Sequence, residues 1–435
     1  MAATKALREA DVIISTSTGA SDPRLLAACG IVTDADDDAI EANGRVRGTE
    51  KNGRSTPTQS STTDRASTAP DGLPPLSCPF VIIDESCQSV EPASLIPITS
   101  TNSCRSLVLL GDPCQLPPTV RSGDEDSPLA ESLMARLAAV LPQPHGGPQQ
   151  SKDRNFNTQY LDSLPIRQAR SRFYSMVEGD ERQPESYRKR FGGANLLSIQ
   201  YRMHPSIAAL PSAIFYDGLL ATPAFLASAR KFPQVFSRSM PCDDKELCVR
   251  LVDVGGRNNE RKGALKGKAI AGSQSSFFSE EEQTSYWNEQ EADTVVELVR
   301  TAVAAAVGDP SSPGNIGIVS PYRGQVDLIK KKLSEHDDLT SDLNLVDIEV
   351  KTVDGYQGRE RDLIIFSAVR SNRKGSIGFL RDWRRLNVAL TRAKAGLIVV
   401  GDVDTLADGD KHWNAFGKWC YEVGCIFPSK QQQPN

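Results

Sequence analysis

The sequence predicts an α/β protein built on parallel sheets, and two features of the chain support this fold class. Short runs of Val, Ile and Leu that end in Gly, Asp or Pro recur along the chain, and such runs are typical of strands buried on both faces. Segments with helical spacing, 289–307 and 326–333, lie between several of them. This alternation indicates an α/β architecture with functional sites at the carboxyl ends of strands. The predicted strands are residues 11–15, 80–84, 107–111, 316–321, 363–367 and 397–401.

Three polar stretches interrupt this pattern. Residues 33–77 are rich in Asp, Gly, Ser, Thr and Pro and bury too little apolar surface to offset their ordering entropy, which predicts a disordered insertion. Residues 141–190 mix Pro, Gln, Gly and opposite charges and predict a linker, and residues 255–284 predict a loop insertion. We therefore expect a first domain at 1–140 and a second at 191–435.

Bulk composition excludes several classes of protein. With 435 residues and a net charge of −5, the chain has no global basic signature, so any nucleic-acid contact must come from a local groove. The nine cysteines have no C-x2-C spacing, which favours reduced thiols inside the cell over disulfides or zinc. Neither a secretory signal nor an apolar run long enough for a membrane span is evident in the sequence.

Two strand ends in the first half of the chain carry polar residues suited to nucleotide chemistry. Asp84 and Glu85 follow a predicted strand; the first would hold Mg²⁺ through water and the second would orient the attacking water. Gln115 follows the next strand and would touch a γ-phosphate. The alternatives are a helix N-cap for the acidic pair and a plain turn around Gln115.

The second half of the chain supplies guanidinium groups and a glycine-containing loop. Arg202 lies beside Tyr201 and ahead of a helix that Pro205 begins, a setting that suits phosphate contact and base stacking. Residues 350–362 hold two glycines that permit close approach of a ligand. Arg392 lies near the end of a helix whose apolar face includes Leu386, Leu390 and Ala393, where it would act as an arginine finger. The alternative for Arg202 is a surface arginine with Tyr201 and Met203 in the core. The alternative for Arg392 is a basic helix end that favours the helix dipole.

Six segments in this order resemble motifs II, III, IV, IVa, V and VI of the superfamily 1 helicases, and the branch with senataxin and the nonsense-mediated-decay helicase is the most similar. The segments are residues 84–88, 111–118, 200–205, 320–325, 352–360 and 386–396, and residues 10–20 resemble motif Ic. The resemblance implies two RecA-like domains, the first incomplete, that use ATP and Mg²⁺ to move along single-stranded RNA or DNA in the nucleus or cytoplasm.

The resemblance also implies a role for individual residues. Asp84 would bind Mg²⁺ through water, and Glu85 would orient the attacking water. The γ-phosphate would be contacted by Gln115, Arg202 and Arg392. Tyr201 would pack on the adenine, and Glu360, with Gln357 and Gly358 beside it, would contact the ribose or phosphates. Nucleic-acid backbone contacts are expected at Thr16, Ser17, Ser320, Pro321, Tyr322, Lys351 and Thr352, with little sequence specificity. For each hydroxyl in this set, a solvated loop or a helix cap is the alternative.

The sequence departs from the family pattern at the phosphate-binding loop. No Gly-rich loop ending in Gly-Lys-Ser or Gly-Lys-Thr occurs, and residues 263–269 have the wrong spacing and no hydroxyl after Lys268. We interpret the chain as part of a longer helicase and expect it to hydrolyse ATP negligibly by itself. The alternatives are a nucleic-acid-binding or partner-docking module without ATPase activity and a signalling ATPase, the latter disfavoured by motifs IV and V.

Overall fold

The computed structural model describes residues 6–7, 9–10, 12–29, 76–100, 103–120, 127–141, 193–263, 285–306, 313–336 and 346–429. The chain divides into two compact units, one of residues 1–113 with 117–137 and one of residues 114–116 with 138–435. Most of the predicted insertions at 33–77, 141–190 and 255–284 lies outside the described residues. The predicted domain boundaries stay a prediction, although Gln115 belongs to the second unit.

The first unit contains a parallel pair of strands, β1 (Phe80–Ile83) and β2 (Ser106–Leu109), in which Phe80 is opposite Ser106. The helices that lie fully within its described residues are α1 (Pro23–Ala28), α2 (Glu91–Ser100) and α3 (Leu133–Val140), the last belonging to this unit as far as Leu137. Two expectations fail in this unit. Residues 12–16 form no strand, and the β1–β2 pair is not buried on both faces, since Phe80 is 72% and Val108 43% exposed. Apolar composition favoured a strand at 11–15, but no described strand pairs with it.

A six-stranded parallel sheet forms the centre of the second unit. Its order is β10-β3-β9-β8-β6-β7, from β3 (Val249–Asp253), β6 (Asn315–Ser320), β7 (Asp347–Thr352), β8 (Arg361–Ser367), β9 (Ala393–Gly401) and β10 (Ile426–Pro428). The side chains of β6, β8 and β9 are almost entirely buried, which confirms three of the predicted strands. A separate antiparallel pair consists of β4 (Glu260–Lys262) and β5 (Tyr286–Asn288).

Helices flank this sheet where apolar spacing predicts them. In α7 (Glu289–Ala306), the residues at i, i+3, i+4 and i+7 from Ala292 are buried, and in α8 (Arg323–Ser334) the residues at i, i+3 and i+7 from Val326 are buried. The remaining helices are α4 (Pro205–Phe215), α5 (Phe225–Ala229), α6 (Gln234–Ser239), α9 (Trp383–Leu390), α10 (Val403–Gly409) and α11 (Lys411–Glu422). Among the described residues, no helix combines the length and apolarity that crossing a membrane requires.

The helix predicted to include Ala393 ends earlier than expected. Helix α9 ends at Leu390, Thr391 and Arg392 form a turn, and Ala393 is the first residue of β9. Asp382 is the N-cap that precedes the helix, and its carboxylate accepts a hydrogen bond from Arg384 N–H. Leu386 and Leu390 are buried as expected. The turn places Arg392 directly before a central strand of the sheet.

One connection runs from the carboxyl end of β7 to the amino end of β8. These eight residues, 353–360, include a 3₁₀ turn at Asp354–Tyr356, and Tyr356 is fully buried. A Cβ at Gly317 of β6 would overlap the Tyr356 hydroxyl, so glycine is required where the connection passes over the middle strand. The connection therefore runs from the side of the sheet where the strands end, here called the carboxyl edge, to the side where they begin, here called the amino edge.

Candidate nucleotide and nucleic-acid sites

The acidic pair of the first unit follows directly on β1. Asp84 Oδ1 accepts a hydrogen bond of 2.9 Å from Glu85 N–H, and Glu85 Oε2 accepts one of 2.6 Å from Gln88 Nε2. Glu85 has a left-handed backbone with φ of 51°, which is uncommon for a residue with a Cβ. Both carboxylates are exposed. This turn presents two acidic groups to solvent at a strand end, as the sequence predicts.

The described residues offer Mg²⁺ carboxylate oxygen but no multidentate protein cage. No group of three or more His, Cys, Asp or Glu side chains in the described part of the chain could hold a metal ion. Mg²⁺ usually keeps several waters and binds one or two carboxylates together with substrate phosphates. An exposed Asp84 suits that kind of site.

Gln115 and Arg392 are in direct contact within the second unit. Arg392 Nη2 donates to Gln115 Oε1 over 3.1 Å and to Thr391 Oγ1 over 3.0 Å, while Arg392 Nε donates to Val388 O over 3.0 Å. Arg392 is only 2% exposed. Asn387 Nδ2 donates to Cys114 O over 2.8 Å and fixes the Gln115 loop against α9. Two residues predicted to contact a γ-phosphate thus form one hydrogen-bonded unit.

Arg202 forms an ion pair with Glu360. Arg202 Nε is 2.7 Å from Glu360 Oε2, and Lys394 Nζ is 2.8 Å from Glu360 Oε1. The hydrogen bond from Lys394, followed by that from Arg202, lowers the pKa of Glu360 from its ordinary value to about 2. Arg202 Nη1 also donates to Thr391 O over 3.1 Å. The structure therefore brings together Arg202, Glu360 and the Thr391–Arg392 turn.

Sequence reasoning missed Lys394. The residue stands two positions after Arg392 in the same motif, but its relevance comes from Glu360, which lies elsewhere in the chain. Its main-chain oxygen accepts a hydrogen bond of 2.8 Å from His204 N–H. That bond ties the segment carrying Arg202 to the start of β9, so the position of Lys394 depends on the tertiary fold.

The remaining predicted nucleotide residues lie in the flanking loops. Tyr201, next to Arg202, is 61% exposed, which leaves its ring accessible for stacking. Gln357 and Gly358 follow the 3₁₀ turn that ends at Tyr356. Gly358 has φ of 72°, and no atom lies within 4 Å of the place where a Cβ would be. The space beside this turn is open, as close approach of a ligand requires.

These residues occupy the amino edge of the parallel sheet. Glu360 immediately precedes β8, and Arg392 immediately precedes β9. The sequence predicts sites at the carboxyl ends of strands, whereas these candidate residues precede their strands. The reason is that the short loops entering β8 and β9, and not the loops leaving them, carry the charged side chains.

The predicted nucleic-acid residues of the second unit lie at the carboxyl edge. Ser320 of β6 and Thr352 of β7 are directly paired in register. Lys351 is partly exposed and is 2.9 Å from Glu349, while Thr352 Oγ1 accepts a 3.2 Å hydrogen bond from Gly355 N–H. Hydroxyl, lysine and main-chain groups are thereby gathered along two neighbouring strand ends.

Two members of this set are buried. Ser320 is 1% and Tyr322 3% exposed, while Pro321 between them is partly exposed. The Tyr322 hydroxyl donates to Ile377 O over 3.2 Å, and its ring contacts those of Tyr286 and Phe379. Contact with nucleic acid at these positions stays a prediction, and in this conformation it would not use the side chains of Ser320 and Tyr322.

The predicted nucleic-acid residues of the first unit lie outside any strand. Thr16 is exposed, Ser17 is half-buried, and Ala20 N–H donates to Thr16 O over 3.1 Å at the start of a 3₁₀ turn (Thr18–Ser21). The loop is ordered by main-chain bonds. Its contact with nucleic acid also stays a prediction.

Comparison with known proteins identifies family relationships over most of the chain. Residues 183–404 match one model described as an AAA domain, and residues 62–123 match another with the same description. The chain is 32% identical over 348 residues to the DNA polymerase alpha-associated DNA helicase A of Saccharomyces cerevisiae, covering 79% of this chain and 41% of that protein.

Two further relatives extend the similarity to the branch named above. The chain is 32% identical over 340 residues to the Regulator of nonsense transcripts 1 homolog of Drosophila melanogaster, covering 77% of this chain and 21% of that protein. It is 31% identical over 354 residues to the Probable helicase senataxin of Homo sapiens, covering 81% of this chain and 10% of that protein. The chain therefore spans less than half the length of these relatives.

Proposed function

We propose that this chain, which belongs to the senataxin and nonsense-mediated-decay branch of the superfamily 1 helicases, carries motor machinery for ATP-dependent movement along single-stranded RNA or DNA. One observation carries the proposal. The amino edge of the six-stranded sheet carries Gln115, Arg202, Glu360 and Arg392. The carboxyl edge carries Lys351 and Thr352. The connection 353–360 joins the two edges directly.

The charges of these side chains suit nucleotide chemistry. ATP with Mg²⁺ would supply the energy of movement when bound. Asp84 would hold the ion through water, and Glu85 would orient the attacking water. Arg202 and Arg392 would neutralise charge that develops on the γ-phosphate, and Gln115 would respond to its loss. Tyr201 would stack on the base, and Gln357, Gly358 and Glu360 would line the sugar and phosphates.

Nucleic-acid binding would be largely independent of sequence. The proposed groups are hydroxyls, main-chain groups and Lys351, and such groups contact the phosphate backbone rather than base edges. A change at the nucleotide edge reaches the nucleic-acid edge through residues 353–360, since that connection has few residues and a buried anchor at Tyr356. We place the protein inside the cell, in the nucleus or cytoplasm, and the nine free cysteines support this compartment.

The first test measures binding of fluorescent single-stranded oligonucleotides of unrelated sequence by anisotropy. We expect similar affinities for different sequences and a steep fall with salt. Addition of a non-hydrolysable ATP analogue with Mg²⁺ at millimolar concentration should shift the affinity, and Arg392→Ala should abolish the shift. Absence of oligonucleotide binding at moderate salt would argue against a helicase motor and for a signalling ATPase.

The second test measures ATP turnover. Because these 435 residues contain no Gly-Lys-Ser or Gly-Lys-Thr loop, we expect very slow hydrolysis by this chain alone. Fast turnover that RNA stimulates, and that Glu85→Gln lowers at least about a hundredfold, would contradict this expectation while keeping the helicase assignment.

The same missing loop favours a second candidate function, a nucleic-acid-binding or partner-docking module without ATPase activity. Such a module would bind oligonucleotides as tightly with the ATP analogue as without it. Retention of Asp84, Glu85, Gln115, Arg202 and Arg392 favours the motor, because these residues have little use in a chain that never meets ATP.

A further inference from the structure

One carboxylate in the second unit binds two cations at once. Glu360 places Oε2 at 2.7 Å from Arg202 Nε and Oε1 at 2.8 Å from Lys394 Nζ. The three side chains together carry a charge of +1. Phosphoryl oxygens accept hydrogen bonds from the same two kinds of group, the guanidinium and the ammonium.

The fold fixes the Arg202 side chain and the Lys394 main chain independently of Glu360. Arg202 N–H donates to Gln200 Oε1 over 3.0 Å, and Arg202 Nη1 donates to Thr391 O over 3.1 Å. Lys394 belongs to β9, and its main-chain oxygen accepts from His204 N–H over 2.8 Å. Removal of the carboxylate would leave the guanidinium in place and an unpaired ammonium group on a fixed main chain beside it.

We propose that Arg202 and Lys394 form a binding site for the terminal phosphates of a nucleoside triphosphate, and that Glu360 occupies this site as an internal counter-ion until a polyphosphate displaces it. The proposal rests on the nucleotide use proposed above and adds Lys394 as a phosphate ligand. It also gives Glu360 a second role, besides the predicted contact with the ribose.

Displacement of Glu360 requires no opening of the core. Its side chain is 41% exposed, so the carboxylate can move into water when phosphate oxygens take its place. While it remains, its negative charge repels an incoming anion at short range. Glu360 therefore weakens polyphosphate binding, whereas a residue that served only the ribose would leave binding of an anion without sugar unchanged.

The test uses inorganic tripolyphosphate, which has neither sugar nor base, titrated calorimetrically into the whole chain. We expect Glu360→Gln to bind tripolyphosphate at least about tenfold more tightly than the wild type. The double variant Glu360→Gln with Lys394→Met should lose that gain. The matched control is Glu335→Gln, which removes the same charge from a single exposed ion pair with Lys331 at 3.7 Å and should leave the affinity unchanged.

Equal or weaker binding by Glu360→Gln, or no binding by either protein, would overturn the proposal. A gain that survives in the double variant would overturn the assignment of Lys394. Tryptophan fluorescence checks folding, and if Glu360→Gln is unfolded, Glu360→Ala takes its place with the same expectations. Because no turnover and no nucleic acid enter this measurement, failure here is distinct from failure of the proposed motor function, which the oligonucleotide assays detect.

Discussion

Arg392 donates a 3.1 Å hydrogen bond to the side-chain oxygen of Gln115, although the two residues are 277 positions apart in the chain. The guanidinium is 2% exposed and has two further acceptors, Val388 O and Thr391 Oγ1. A buried cation needs such partners, because removal of water from an unsatisfied charge is costly. The buried Arg392 and the half-buried Gln115, both proposed γ-phosphate residues, are therefore coupled, and a change in either should alter the contribution of the other.

Gln115→Ala and Arg392→Ala should act non-additively on stability. We expect the bond to contribute about 1–3 kcal/mol to the free energy of unfolding, since one partner is charged. Urea unfolding of the wild type, both single variants and the double variant, followed by tryptophan fluorescence, measures this coupling free energy. All four tryptophans, Trp287, Trp383, Trp413 and Trp419, belong to the second unit, so the signal reports the unit in which the bond lies.

The control for this double-mutant experiment is the exposed pair Glu297 and Arg300, 3.8 Å apart with both side chains 44% exposed. Its coupling should be below about 0.5 kcal/mol, because solvent screens exposed ion pairs. Strict additivity of Gln115→Ala and Arg392→Ala would contradict the structural relationship.

Strands β6, β8 and β9 could be predicted from sequence because uninterrupted apolar runs fit a strand with helices or neighbouring strands around it. The same rule fails for residues 11–15 and overstates the burial of β1. Composition reports how apolar a segment is, and it contains no information about whether another strand lies beside it. For the same reason the end of α9 was misplaced, since Ala393 suits a helix and a buried strand equally well.

Individual candidate site residues could be proposed from the sequence where a motif fixes their spacing, as for Arg202 and Arg392. The contacts that these residues make could not be predicted. Arg202 and Glu360 are 158 positions apart, and only the fold shows that they neutralise each other. The sequence predicts a nucleic-acid contact at Tyr322, but in the fold the rings of Tyr286 and Phe379 pack against it. Lys394 was missed because its partner is defined by tertiary structure.

Gly317→Ala should destabilise the second unit. The added Cβ would overlap the Tyr356 hydroxyl and lie 2.6 Å from Ile364 Cδ1, so the connection 353–360 must shift. We expect a loss of about 1–3 kcal/mol in the free energy of unfolding, as for other overpacked cores. Urea unfolding with tryptophan detection measures it.

Gly417→Ala is the matched control. Gly417 is buried inside α11, but a Cβ there would meet Val403 Cγ1 at an ordinary 3.7 Å. This substitution should be neutral or stabilise by up to about 1 kcal/mol, because alanine favours helix. Equal effects of the two substitutions would argue against a close crossing over Gly317.

Glu291 should make the stability of the second unit depend on pH. Burial raises the pKa of this carboxyl from its ordinary value to about 8. Between pH 4.5 and 8 the folded state holds a proton that the unfolded state has released, so stability should fall as pH rises, by up to about 1.4 kcal/mol per pH unit. The measurement is urea unfolding at several pH values between 5 and 8.

Glu291→Gln serves as the comparison, because it keeps the shape and cannot titrate. The difference in unfolding free energy between wild type and variant should change steadily over that pH range. Ser367 Oγ and Val369 N–H donate to Glu291 Oε2 over 2.7 and 2.8 Å, and these bonds oppose the effect of burial. A difference that does not vary with pH would show that the bonds outweigh burial and keep the carboxylate ionised.

Lys351→Ala should weaken binding of single-stranded oligonucleotides uniformly across sequences. Lys351 lies at the carboxyl edge of the sheet with its side chain 33% exposed, and its pairing with Glu349 at 2.9 Å holds the ammonium group in place. Loss of one phosphate contact should reduce the slope of log affinity against log salt by about 1. Anisotropy titrations at several salt concentrations measure the slope, with Lys418→Ala on the exposed side of α11 as a control of equal charge. If both variants change the slope equally, the binding depends on overall charge and the carboxyl edge of β7 is no contact surface.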